Sequence, residues 1–109
     1  MLIFKESLPV DTLDIRRITL PFRSQKEAKR AILHLDLQYN EPCMWFQADV
    51  NGEEEIEKDF YLIAIGTGHP WGEALSGDEY LGTLLLHGGT LVLHYFLKED
   101  LGDLGESER

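Results

Sequence analysis

The run Leu62-Ile63-Ala64-Ile65-Gly66-Thr67-Gly68-His69-Pro70-Trp71-Gly72 carries an apolar segment straight into glycines, a histidine, a proline and a tryptophan. Glycine-rich turns after strands often cradle phosphates, and spacing tests whether this one does. A dinucleotide fingerprint needs G-x-G-x-x-G, its third glycine packing a following helix on the strand. Trp71 holds that position here, and Pro70 and Gly72 oppose a helix. A P-loop needs Gly-Lys-Ser/Thr, which the run lacks. Two readings remain. In one, the glycines supply positive φ for a turn and tuck His69 or Trp71 against a sheet edge. In the other, the loop 66–79 and a neighbouring strand face bind a small ligand through His69, Trp71, Thr83 and His94.

Other chemistries find thinner support. None of the histidines, His34, His69, His87 and His94, has another at i+2 or i+4, so no metal site and no cofactor is expected. A metal-dependent hydrolase would need the fold to gather His87 and His94 with Asp36 or His69. Cys43 sits among Pro42, Met44 and Trp45 with no nearby base, the setting of an inert buried thiol. Ser7, Ser24, Ser76 and Ser107 lie outside any G-x-S-x-G elbow. No catalytic residue is assigned, and the enzyme question stays open with the balance against.

At 109 residues, 43% hydrophobic and 28% charged, the chain fits one globular domain. A single cysteine excludes an internal disulfide and fits a reducing compartment. The apolar start is too short for a signal peptide, and no run approaches a membrane span of about 18 residues. A cytoplasmic protein is expected. The net charge of −10 disfavours direct nucleic-acid binding. That charge is uneven: Arg16, Arg17, Arg23, Lys26, Lys29 and Arg30 cluster against one acid, whereas Glu53, Glu54, Glu55 and Glu57 crowd an acidic connection. Two solvated loops of opposite sign are the plain reading. The interaction reading takes Glu53, Glu54, Glu55, Glu57, Arg23, Lys26, Lys29 and Arg30 as a surface for a protein partner, and opposed charges with an open sheet edge favour a homodimer.

The periodicity that must position these residues is that of strands. In 31–39 Leu33, Leu35, Leu37 and Tyr39 alternate with His34, Asp36 and Gln38. Asn40-Glu41-Pro42 reads as a turn, with Pro42 barring a central strand, and a second strand follows with Met44, Phe46, Ala48 and Val50 on one face. Asn51-Gly52 opens the acidic connection. Residues 60–65 are apolar on both faces, and 66–79 reads as a loop without helix. Tyr80 to His87 and Thr90 to Leu97 flank Gly88-Gly89, a tight type I′ or II′ hairpin setting Leu85 opposite Val92 and Thr83 opposite His94. One face then carries Leu84, Leu86, Leu91, Leu93, Tyr95 and Leu97; the mixed face carries Leu81, Thr83, Leu85, Val92, His94 and Phe96. Strands over 2–8 and 14–20 end before Pro9 and Pro21, and Ser24…Glu27 matches a capping box, so 24–30 reads either as a single helical turn or as an irregular basic loop. The expected fold is a mainly β, single-domain antiparallel β-sandwich or partly closed barrel of about six to seven strands with one or two short helical turns. It spans residues 1–98, with 99–109 an acidic flexible tail; a short helical turn docked through Leu101 and Leu104 is the less favoured alternative.

Several of these segments together, ILHLDLQ, MWFQADV, YLIAIGTGHP, EYLGTLLLHGG and TLVLHYF, resemble a family of small uncharacterised proteins of bacteriophages, prophages and actinobacterial genomes. Its pattern is a tryptophan-bearing strand, then G-T-G-[HQ]-P, Y-[LIV]-G-T and G-G-x-L-V-x-H. Trp45, the run Gly66 to Pro70, Tyr80 to Thr83, Gly88, Gly89, Leu91, Val92 and His94 match it, over residues 3 to 97. The resemblance implies a phage-type setting and no mechanism. The basic segment before ILHLDLQ and the acidic tail depart from the pattern, and a specific partner would be read there. The expected role is a phage accessory protein that binds a host protein or itself, with inhibition of a host nucleic-acid-binding protein through its acidity as the sharper form.

Overall fold

The computed structural model describes residues 1–11, 13–49 and 56–102. Among them are β1 (Leu2–Ser7), β2 (Leu13–Leu20), α1 (Gln25–Ala31), β3 (Ile32–Gln38), β4 (Glu41–Ala48), β5 (Lys58–Gly66), β6 (Tyr80–Leu86) and β7 (Leu91–Lys98). Two antiparallel sheets, ordered β1-β4-β3 and β2-β5-β7-β6, stack face to face without closing into a barrel. Among the described residues no helix is long and apolar enough to cross a membrane.

Strand alternation builds the core. Met44, Phe46 and Ala48 of β4 meet Phe60, Leu62 and Ala64 of β5, Leu84 and Leu86 of β6 and Leu93, Tyr95 and Leu97 of β7 in one buried cluster. Each large side chain so buried contributes about 1.5–3 kcal/mol relative to exposure. The hairpin register is the expected one, with Thr83 opposite His94 and Leu85 opposite Val92. Its turn has Gly88 at φ 68°, ψ 21° and Gly89 at φ 93°, with the Thr90 N–H on the His87 carbonyl, the type I′ geometry that favours glycine.

Four local expectations change. A register shift between Ile32 and His34 bulges Leu33 out to 51% exposure. Ile32, Leu35 and Leu37 pack on the core instead, and Tyr39 enters the β3–β4 turn at φ 52°, 92% exposed. A second shift between Tyr80 and Gly82 lets Leu81 pack on the core and leaves Tyr80 opposite Phe96 on the outer face. Pro42 belongs to β4, the middle strand, rather than ending the turn. It pairs with Leu37 one step beyond the last β1 partner pair, Ser7 with Cys43, so no β1 strand residue needs its missing N–H, and its carbonyl accepts from Leu8 N. The loop 66–79 holds two 3-10 turns, Pro70–Ala74 and Gly77–Glu79, where no helix was expected.

The helical turn after β2 forms as α1. Ser24 Oγ accepts from Glu27 N at 3.1 Å, and Glu27 Oε2 takes the Arg23 N–H at 2.8 Å, one residue before the cap. Past β7, Glu99 Oε1 accepts from Gln25 N at 2.7 Å, and Leu101 packs against Ile63 and Ile65. Val50, Asn51, Gly52 and Leu104 lie outside the described residues.

Candidate functional site

The stretch after β5 is shaped residue by residue. Gly66 closes the strand, and its carbonyl accepts from His69 N at 3.2 Å. Gly68 at φ +82° supplies what the third residue of a type II turn requires, leaving Thr67 exposed at the corner. His69 then caps the 3-10 turn: its Nδ1 accepts from Trp71 N at 3.1 Å, and Pro70 follows where no N–H is needed. That bond places the lone pair on Nδ1, so neutral His69 carries its proton on Nε2. Trp71 and Leu75 fold back onto the outer face of the four-stranded sheet, forming with Ile15, Ile63, Ile65, Phe96 and Leu101 a second, smaller apolar cluster. This is why β5 is apolar on both faces.

The far end of the loop is pinned by charge. Glu79 Oε2 accepts from Lys98 Nζ at 2.6 Å, and Glu79 Oε1 accepts from Ser76 N at 3.0 Å. Partial burial pushes the Glu79 carboxyl up, but the Lys98 ammonium and the Ser76 N–H together outweigh it and hold it below the usual range.

Beside the loop a chain of hydrogen bonds crosses three segments. Thr67 Oγ1 lies 2.7 Å from His94 Nε2, and Thr83 Oγ1 lies 2.9 Å from His94 Nδ1. The Tyr80 hydroxyl bonds Thr83 Oγ1 in turn and packs edge-on against Phe96. Neutral imidazole donates through one nitrogen and accepts through the other, so the four side chains form one polarised line with an exposed hydroxyl at each end. Thr67 belongs to GTGHP, Tyr80 and Thr83 to YLGT, and His94 to the end of GGTLVLH. The three motif segments meet here.

Of the ligand contacts expected from sequence, Thr83 and His94 are joined directly. His69 and Trp71 form a separate edge-to-face pair, ring centroids 6.2 Å apart, inside the loop. Thr67 and Tyr80 were missed, although both stand within the motifs. Among the described residues no three His, Cys, Asp or Glu side chains gather as metal ligands. His87 sits in the hairpin turn and His34 stacks on Trp45 of the other sheet.

The charged surface divides too. Lys29 Nζ donates to the carbonyls of Gly77 at 3.2 Å and Asp78 at 2.9 Å, and Gln25 Nε2 donates to Asp78 at 2.8 Å, docking α1 on the second 3-10 turn. A groove of about 600 Å³ is lined by Gln25, Lys26, Lys29, Arg30 and Asp78. Arg23 and Glu57 are exposed, and Glu53, Glu54 and Glu55 lie outside the described residues.

The outer face of the three-stranded sheet has another character. Lys5, Trp45 and His34 stand in one row, and Lys5 Nζ donates to Gln38 Oε1 at 2.6 Å. The Leu37 N–H, and after it His34 Nε2 at 3.3 Å, hold the Asp36 carboxyl below its ordinary range. Ile3, Leu33, His34, Asp36, Gln38 and Trp45 line a shallow groove there of about 440 Å³.

Neither a curated protein nor a solved structure matches the chain. A family model matches residues 2–104, and the chain belongs to that family, described as a domain of unknown function (DUF7352).

Proposed function

We propose that this domain works by binding another protein through the outer face of its three-stranded sheet. The observation that supports this reading is the unequal treatment of the two outer faces. Trp71, Leu75 and Leu101 cover the apolar middle of the four-stranded sheet and leave Leu85 exposed only at its edge, whereas the other sheet presents Ile3 at 61% and Leu33 at 51% exposure on either side of Trp45 in its middle strand. An aromatic anchor flanked by aliphatic side chains and rimmed by polar pairs, here Lys5–Gln38 and His34–Asp36, has the composition of an interface hot spot. The net charge of −10 favours a basic partner. In a phage-type setting that partner is a host protein, and an acidic domain occupying the groove of a nucleic-acid-binding protein is the sharper form of this reading. A small-ligand site built from His69, Trp71, Thr83 and His94 has less support, because Trp71 is committed to the second apolar cluster and His69 Nδ1 to a backbone amide.

Capture from a host lysate tests the reading, comparing the parent domain with Trp45→Ala, Leu33→Asp and Glu57→Lys at matched thermal stability. Loss of a captured protein in the first two and retention in the third is expected. Equal capture by all four proteins would remove this face from the account.

A further inference from the structure

We propose that Thr67 is a nucleophilic hydroxyl, with His94 as its general base, competent for acyl transfer from small activated esters. It concerns the other face of the molecule and stands or falls apart from the binding reading.

The structural mark of an activated nucleophile is a hydroxyl within about 2.6–3.2 Å of a base that a third group orients. Thr67 Oγ1 is 2.7 Å from His94 Nε2, and the opposite ring nitrogen is held 2.9 Å from Thr83 Oγ1, which Tyr80 holds in turn. The reactive tautomer has Nδ1–H donating to Thr83, which leaves the Nε2 lone pair facing the Thr67 hydroxyl. When His94 takes a proton, the Thr83 oxygen faces the developing imidazolium at Nδ1. Thr67 is exposed at the turn corner while His94 is half-buried, so an incoming carbonyl reaches the hydroxyl before the base. Serine and cysteine motifs do not disclose such a site, because its members come from a turn, a strand start and two paired strands.

The step balances without oxidant or cofactor. Thr67 Oγ bonds to the carbonyl carbon as its proton passes to His94 Nε2. The tetrahedral intermediate collapses, the leaving oxygen departs with its bonding pair and takes that proton, and the acyl group stays on Thr67. Water repeats the sequence, releasing the carboxylic acid and restoring the hydroxyl. Thr67 and His94 are the catalytic residues; Thr83 and Tyr80 are positioning residues.

The test incubates the intact protein with p-nitrophenyl acetate, follows p-nitrophenolate release, and maps the acetyl group by peptide mass spectrometry. Acetyl on Thr67, retained in Thr67→Ser at the same position and slowed about 100-fold in His94→Gln, is expected. Thr83→Val slows acylation and Thr83→Ser restores it, at unchanged melting temperature, which separates positioning from folding. Acetyl found only on lysines or the terminal amine overturns the proposal, as does equal acylation of Thr67 in His94→Gln. Should that variant fail to fold, the parent rate in heavy water decides: slowing supports proton transfer in the step, and an unchanged rate overturns it.

Discussion

The Tyr95 hydroxyl donates to the Pro9 carbonyl at 2.7 Å inside the core, tying β7 to the segment that carries the chain from one sheet to the other. Leu8 and Pro9 are buried in that crossing, so the carbonyl has little access to water, and the phenol satisfies it.

Tyr95→Phe is expected to cost about 1–3 kcal/mol, because the carbonyl is left without its partner. A second signature lies in pH. Burial pushes the phenol up to about 12, with the Arg16 charge opposing part of the rise. The folded chain therefore holds this proton more tightly than the unfolded one. The contribution is fully present below about pH 10 and is lost as pH rises towards about 12. Urea melts across that window should show a loss of about 2 kcal/mol in the parent relative to Tyr95→Phe. Parallel curves for the two proteins would refute the linkage.

The Glu79–Lys98 pair titrates in the opposite sense. The carboxyl sits below its ordinary value, so its contribution is present above pH 4.5 and disappears as pH falls through the lowered folded value. Glu79→Gln should cost about 1 kcal/mol near neutrality and flatten the acid limb of the stability curve. The loss should be local as well, with faster amide exchange in 70–79 than in the strands. An unaltered acid limb would show that the pair does not hold the loop.

Trp71→Ala tests whether the GTGHPWG run is mainly a structural cover. Removing the indole uncovers Ile63 and Ile65, which are buried at 0% and 5% exposure. About 2–3 kcal/mol should be lost, less than for a fully buried tryptophan because Trp71 is itself half-exposed. Gly72→Ala should be mild by comparison, since an added Cβ meets only Ile65 Cδ1 at 3.8 Å. A Trp71→Ala protein as stable as its parent would leave the loop without this role.

The sequence made the strands legible where alternation alone decides orientation. The inward faces of β4 and β7, the hairpin register and the Thr83–His94 pairing all follow from a period of two around a fixed turn. Leu33 and Leu81 were misplaced because a bulge depends on the partner strand, and an alternating pattern contains no sign of the extra residue. In the sequence Pro42 looks like a barrier, because its tolerance depends on where β1 stops. The same limit applied to the site. Thr83 and His94 share a face by counting, but Thr67 joins them only through a turn whose direction Gly68 sets.

Gly82 and Leu35 mark where the edges of the two sheets approach, and their coupling can be measured. A Cβ on Gly82 would stand 3.2 Å from Leu35 Cδ2 and 3.8 Å from its Cβ, so Gly82→Ala forces the leucine to give way. The near atom is the tip of a flexible side chain, and about 1 kcal/mol is the expected cost. Leu35→Ala removes partly buried volume from the same spot and should cost about 2 kcal/mol. In the double variant the new methyl occupies space the leucine vacated, so the combined loss should fall below the sum by at least about 0.5 kcal/mol. Denaturant melts of the four proteins measure this directly. Strict additivity would mean that β3 and β6 do not meet at this point, and the seam between the two sheets would need another closure.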